Sequence, residues 1–228
     1  MSAQPFIVVF ALFPDLTQLD FTGPWEVLTR LPGAEVIIAS EVGGVVEARH
    51  GLAFAGVRRL AEVERCDLIC VPGGPGTADA MLDEAYIAEV KRLAAGARYV
   101  TSVCTGSLIL GAAGLLKGKR AACHWASRQF LEAFGATAAR ERVVIDGNII
   151  TGGGVTAGID FGLTVAAEVA GREHAEYIQL SLEYGPKPPF KSGEPWTASD
   201  ALVRRYLQGT RAWTEEREKA VKIAAARL

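Results

Sequence analysis

Hydrophobic positions along this chain fall into short continuous runs separated by longer periodic ones. Phe6-Ile7-Val8-Val9-Phe10-Ala11-Leu12 is apolar throughout, the pattern of a strand covered on both faces. Residues 35–39, 68–71 and 99–103 repeat it, and the third run is stopped by Pro72-Gly73-Gly74. Between them, helical patterns cover residues 24–31, 83–97 and 107–116. Pro24 suits the first turn of a helix, and Asp83-Glu84 supplies acidic residues at the start of the next. Strands that alternate with helices predict an α/β fold, a doubly wound and mostly parallel sheet with helices on both faces.

Residues 142–151 break the alternation. Two β-branched runs flank Asp146-Gly147-Asn148, which predicts a β-hairpin. Gly152-Gly153-Gly154 follows, then helical patterns over residues 156–170 and 172–184. Residues 185–195 carry four prolines and two glycines and read as an extended strap, and residues 198–228 read as a helical tail. The expectation is one domain over residues 1–228, with a core of about 6–185, the strap and the tail.

Composition narrows the classes of function. The 228 residues are 50% hydrophobic and 22% charged, with a formal net charge of −2 and no dense Lys/Arg cluster, so a nucleic-acid partner is not expected. No apolar run approaches the ~18–20 residues of a membrane span, and the first residues lack the basic segment of a signal peptide. The cytoplasm is the expected compartment. Cys66 and Cys70 would share one face of a strand but lie about 13 Å apart, too far to bond or to ligate one metal. No His/Cys/Asp/Glu set has metal-ligand spacing, and the glycine runs lack the Lys-Ser/Thr of a phosphate loop and any dinucleotide fingerprint. No cofactor is expected.

The fourth apolar run leads straight into Cys104-Thr105-Gly106-Ser107 and a helix. A cysteine there stands at the C-terminal edge of the sheet, where open α/β folds bind ligands. It also stands at a helix N-terminus, whose dipole and free N–H groups favour the thiolate. The plain alternative is a small buried hydrophobe.

Several stretches, in order, carry a resemblance. Val71-Pro72-Gly73-Gly74, Val103-Cys104-Thr105-Gly106, Gly111-Ala112-Ala113-Gly114-Leu115-Leu116, Gly118-Lys119-Arg120-Ala121 and His124-Trp125 together resemble the DJ-1/PfpI superfamily. That resemblance implies a flavodoxin-like fold with the cysteine on a nucleophile elbow, and a homodimer. Residues 13–24, 101–108, 151–161 and 182–190 look like the isocyanide hydratase branch, over residues 6 to about 195. The implied substrate is a small organic isocyanide, converted to an N-formamide through a Cys104 thioimidate.

The resemblance assigns roles by position. Asp20 matches an aspartate that contacts the cysteine, where many relatives carry glutamate; its local alternative is a helix N-cap. Beside a thiolate its carboxyl is pushed toward the protonated form, fit to give and take a proton. Thr105 stands where protease-like members have histidine, which disfavours peptidase activity. Its N–H and that of Gly74 are expected to line an oxyanion-type hole, and its hydroxyl to reach the sulfur. Gly73 permits close backbone approach, while Gly153 and Val155 are expected to offer backbone groups on the opposite wall. His124 is either near the site or a buried histidine satisfied by backbone; His50 and His174 read as surface residues. Competing readings are a glyoxalase- or deglycase-like enzyme for α-oxoaldehydes and a non-catalytic redox sensor. An AraC-type regulator would need a further helix-turn-helix half of roughly a hundred residues, more than the tail supplies.

Overall fold

The structure, a computed structural model, describes residues 4–228. The first apolar run forms β1 (Phe6–Ala11), followed by α1 (Gln18–Leu28) and β2 (Ala34–Ser40). An antiparallel pair comes next, β3 (Gly44–Glu47) and β4 (Ala53–Arg59). The chain then crosses back through β5 (Leu68–Val71), α2 (Thr77–Leu82), α3 (Glu84–Gly96), β6 (Tyr99–Val103) and α4 (Gly106–Ala112). Two short strands, β7 (Arg120–Ala121) and β8 (Thr137–Ala138), flank a 3-10 segment at Arg128–Phe134. The predicted hairpin is β9 (Val143–Asp146) and β10 (Ile149–Gly152), and helices α5 (Ala157–Ala170), α6 (Arg172–Ser181), α7 (Asp200–Gly209) and α8 (Arg211–Ala225) complete the chain.

The central sheet has the order β3-β4-β2-β1-β5-β6-β10-β9. Its inner pairs are parallel, and an antiparallel strand closes each edge, β3 on β4 and β9 on β10. Residues of β1 and β5 are almost wholly buried because helices cover both faces, which is why their sequences are unbroken apolar runs. After β1 the chain winds outward to β2; after β4 it returns to the other side of β1 and winds the opposite way. The reversal falls between β1 and β5, and ligands in open α/β sheets bind at such a switch point beyond the strand C-termini. Ala11, Val71 and Val103 end β1, β5 and β6 there. The loops that follow are joined across the crevice, Thr17 N–H donating to the Gly73 carbonyl at 2.9 Å and Gly76 N–H to that of Asp15 at 3.2 Å.

The structure corrects the sequence reading in three places. Helix α1 starts at Gln18, so Pro24 lies inside it and not in its first turn. Pro24 leaves the Asp20 carbonyl without its helical donor, and the close approach of α5 at Gly158 and Gly162 holds the helix together around it. Strands β3 and β4 were not predicted: they lie at one side of the sheet with most residues exposed, Val45 at 63%, and each buries a single residue, Val46 or Val57, too few to show an alternating face. Helix α2 hides in six residues of what reads as loop. The strap at 185–195 has no regular structure, as expected. The tail forms two helices, and α8 packs on α2, α4 and the 3-10 segment through buried Ala220, Val221 and Ala224. Among the described residues, no helix is long and apolar enough to cross a membrane.

Candidate active site

Cys104 follows the last residue of β6 with φ of 59°, a left-handed conformation that a cysteine adopts only where its surroundings impose it. They do so through the backbone. Its N–H is shared between the Gly152 and Gly153 carbonyls, both at 3.0 Å, at the end of β10. Its carbonyl accepts from Ser107 Oγ at 3.2 Å in the first turn of α4. The result is the expected elbow, with Cys104 5% exposed and lining a cavity. Gly153 meets the cysteine through its carbonyl.

Asp20, in the first turn of α1, has no exposed surface. Its Oδ2 accepts from the Gly73 N–H at 3.2 Å. Its Oδ1 is buried with no hydrogen-bond partner on the protein, and the carboxyl lies close enough to the Cys104 thiol for each group to shift the other's titration. Because Asp20 is the third residue of α1 and Thr17 holds the N-cap position, Asp20 does not act as the N-cap. Burial pushes its pKa up to about 7, against the opposing pull of hydrogen bonds with Cys104 and Gly73. Burial, then the Asp20 charge, pushes the Cys104 thiol well above its ordinary value, while the Thr105 N–H donates toward the sulfur and pulls the other way. This revises the expectation of a cysteine ionised by the helix alone. The two groups share one desolvated space, so they titrate as a pair in which a negative charge on one suppresses ionisation of the other.

Gly73 and Gly74 bring the β5–α2 turn against this pair. A Cβ on Gly73 would lie 2.4 Å from Thr105 N and 3.0 Å from Asp20 Oδ2, so no larger residue fits. Gly74 has φ of 148°, and a Cβ there would strike Thr17 N at 2.5 Å. The Gly74 N–H does not line an oxyanion hole: it donates to Thr105 Oγ1 at 3.0 Å. That hydroxyl is also 2.7 Å from Thr77 Oγ1, which in turn donates to the Gly74 carbonyl at 2.7 Å. The Thr105 side chain is thus held in a buried network with Thr77 and Gly74 and not turned to the sulfur, leaving its backbone N–H to face the reacting atom.

The cavity, of about 140 Å³, reaches Cys104 between Gly74, Thr105, His124 and Val155 on one side and the tail on the other. Val155 lines this wall with its side chain partly exposed. His124 makes no hydrogen bond to Cys104 or Asp20; its Nδ1 accepts from the Ala126 N–H at 3.3 Å, which puts the neutral ring's proton on Nε2. Burial, then the charge of Arg217, lowers its pKa to about 4, so it stays neutral at pH 7. Among the described residues, no three of His, Cys, Asp or Glu converge as a metal site.

The sequence reading missed the tail's part in the site. Tyr206 of α7, and Trp213 and Arg217 of α8, line the cavity. Arg217 donates to Ser127 Oγ at 3.0 Å and to the Gly74 carbonyl at 3.4 Å. A signal was available: Trp213, Arg217, Ala220, Val221 and Ala224 repeat at helical spacing, which sets an arginine in an inward-facing stripe. Thr77 gave no local sign of its role, since it meets Thr105 only through the turn.

The DJ-1/PfpI family model matches residues 7–168, stopping before α7 and α8. The chain is 47% identical over 219 residues to the isonitrile hydratase of Pseudomonas putida, covering 96% of each protein. A solved THiJ/PfpI family protein from Pseudomonas syringae superposes with a TM-score of 0.92 at 37% identity, over 95% of this chain and 90% of that one. A DJ-1 superfamily protein from Salmonella typhimurium superposes with a TM-score of 0.71 at 27% identity, over 79% of this chain and 99% of its own. The elbow cysteine, the parallel sheet around it and these matches lead to one conclusion: the chain belongs to the DJ-1/PfpI family.

Proposed function

We propose that this protein hydrates small organic isocyanides to N-substituted formamides through a covalent Cys104 adduct, with Asp20 moving the protons. The observation that carries this reading is the Asp20 carboxyl, buried against the Cys104 thiol with a pKa of about 7. The likeness to a protein named isonitrile hydratase over nearly the whole chain supports it.

The reactive state holds one proton between the two groups, and Asp20 takes that proton as sulfur becomes nucleophilic. Sulfur bonds to the terminal carbon of R–N≡C while the proton passes from Asp20 to the same carbon, giving the thioimidate R–N=CH–S–Cys104. Water then adds to this carbon, Asp20 carries a proton from the water oxygen to nitrogen, and R–NH–CH(OH)–S–Cys104 forms. Collapse expels the sulfur, returns a proton to Asp20 and leaves R–NH–CHO. No electrons are gained or lost overall, so the sequence of steps calls for no redox cofactor. The Thr105 N–H, facing the sulfur, steadies its charge on attack and on departure.

The test is infrared loss of the isocyanide stretch with stoichiometric growth of formamide. Turnover is expected with wild type and none with Cys104→Ala. An enzyme with reduced Cys104 that consumes no isocyanide but does consume methylglyoxal would instead establish the α-oxoaldehyde chemistry of other branches.

A further inference from the structure

The C-terminal helix carries a donor that the reaction above does not use. Arg217 lies in the inward stripe of α8 and borders the same cavity as Cys104. Nη1 is bound to Ser127 Oγ and Nη2 to the Gly74 carbonyl, so the guanidinium plane is fixed across two loops of the site. Neither partner is a carboxylate. The remaining group, Nε–H, is buried and meets no acceptor on the protein. Arginine stays charged and offers only donors, so a buried Nε–H of this kind is complete only with an oxygen brought by a ligand or water.

The chemistry of the substrate says which oxygen. An isocyanide has none; oxygen enters with the water of the second half-reaction and leaves as the formyl oxygen. A donor fixed in the cavity has therefore no oxygen to bind while sulfur attacks, and one to bind afterwards. Resting on the hydration reading, we propose that Arg217 is a further catalytic residue, whose Nε–H holds the water oxygen that attacks the thioimidate carbon and remains bonded to it as it becomes the formyl oxygen.

The two half-reactions separate the outcomes. With n-butyl isocyanide, Arg217→Met is expected to form the Cys104 adduct at the wild-type rate and then hold it, visible by rapid-quench mass spectrometry as one isocyanide per chain. Slow release lowers kcat by roughly 10²-fold, the scale of losing one donor to a developing carbonyl oxygen, and lowers KM with it, leaving kcat/KM unchanged. Arg217→Gln keeps a neutral donor on a shorter chain and is expected to show an intermediate kcat at the same kcat/KM, and it gives a second reading if the methionine variant does not fold. A fall in kcat/KM equal to that in kcat, with no adduct trapped in either variant, would show that Arg217 only docks α8 and overturns the proposal. Wild-type turnover in both variants overturns it too. Wild type that forms neither adduct nor formamide overturns the hydration reading itself, a failure distinct from one confined to the variants.

Discussion

At the scale of single residues, the balance to explain is between Asp20 and Cys104. A carboxyl with no solvent exposure, beside a thiol, is stable as the neutral acid until the pH nears 7. Below that value the pair holds two protons and has no base to ionise the sulfur; above it, one proton remains to be exchanged. kcat/KM for isocyanide is therefore expected to rise with pH through about 7, and Asp20→Asn to lose the rise together with at least ~10²-fold of activity. A profile flat from pH 5 to 9 would remove Asp20 from the proton path. The same shift bears on stability, with a definite sign. The folded pKa of about 7 lies above the ordinary 3.8, so the contribution is full below pH 3.8 and is lost as pH rises through 7, where folding must bury a charge. Asp20→Asn never carries that charge. Its thermal stability relative to wild type should grow from pH 4 to pH 8 by an amount on the order of a few kcal/mol, measured by melting at each pH.

At the scale of elements, the site is the meeting of β1–α1, β5–α2 and β6–α4, and these differed in how far the sequence disclosed them. The β6–α4 elbow is local: an apolar strand, one cysteine and a helix start lie within a dozen residues, so Cys104 was legible from pattern alone. Asp20 lies 84 positions earlier, and its place after the first strand, on the active edge of a doubly wound sheet, together with its match to a family motif brought the two together; Pro24, a sound helix-start signal elsewhere, misplaced the start of the helix that carries it. In the β5–α2 turn the glycines were legible as close-approach residues, but the partner of the Gly74 N–H was not, because Thr105 reaches it from the β6–α4 elbow, while Thr77 closes the network on the Gly74 carbonyl. That network supports a prediction. Thr77→Val keeps the shape but leaves the buried Gly74 carbonyl without its 2.7 Å donor and frees the Thr105 hydroxyl. Urea unfolding should show a loss of about 1 kcal/mol, since the Thr77 N–H and Arg217 still reach that carbonyl, and kcat/KM should fall roughly 10-fold as the turn beside Cys104 relaxes. A stability loss with unchanged kcat/KM would make the network structural only.

At the scale of the whole molecule, the tail is a wall of the active site and not an appendage. The family match covers the sheet and stops at residue 168; the two helices beyond residue 199 complete the cavity. They are held from both ends of α8. Near its start, Trp213 lies under the Arg49 guanidinium, 5.0 Å from ring centre, and Arg49 is paired with Asp15 at 3.4 Å in the β1–α1 loop. Near its end, Ala220, Val221 and Ala224 are buried on α2 and α4. Val221 is 2% exposed, so Val221→Asp forces a carboxylate into an apolar contact at a cost of several kcal/mol, more than the docking of one helix sustains. The sheet does not depend on that contact. The variant is therefore expected to keep its far-UV circular dichroism while α8 lifts from the site, and alkylation of Cys104 by iodoacetamide at fixed pH should quicken by about tenfold or more as the 5% exposed residue opens to solvent. Isocyanide turnover should fall in the same variant, since the wall that carries Arg217 leaves with the helix. Unchanged alkylation in a folded variant would mean that α8 does not control access to Cys104.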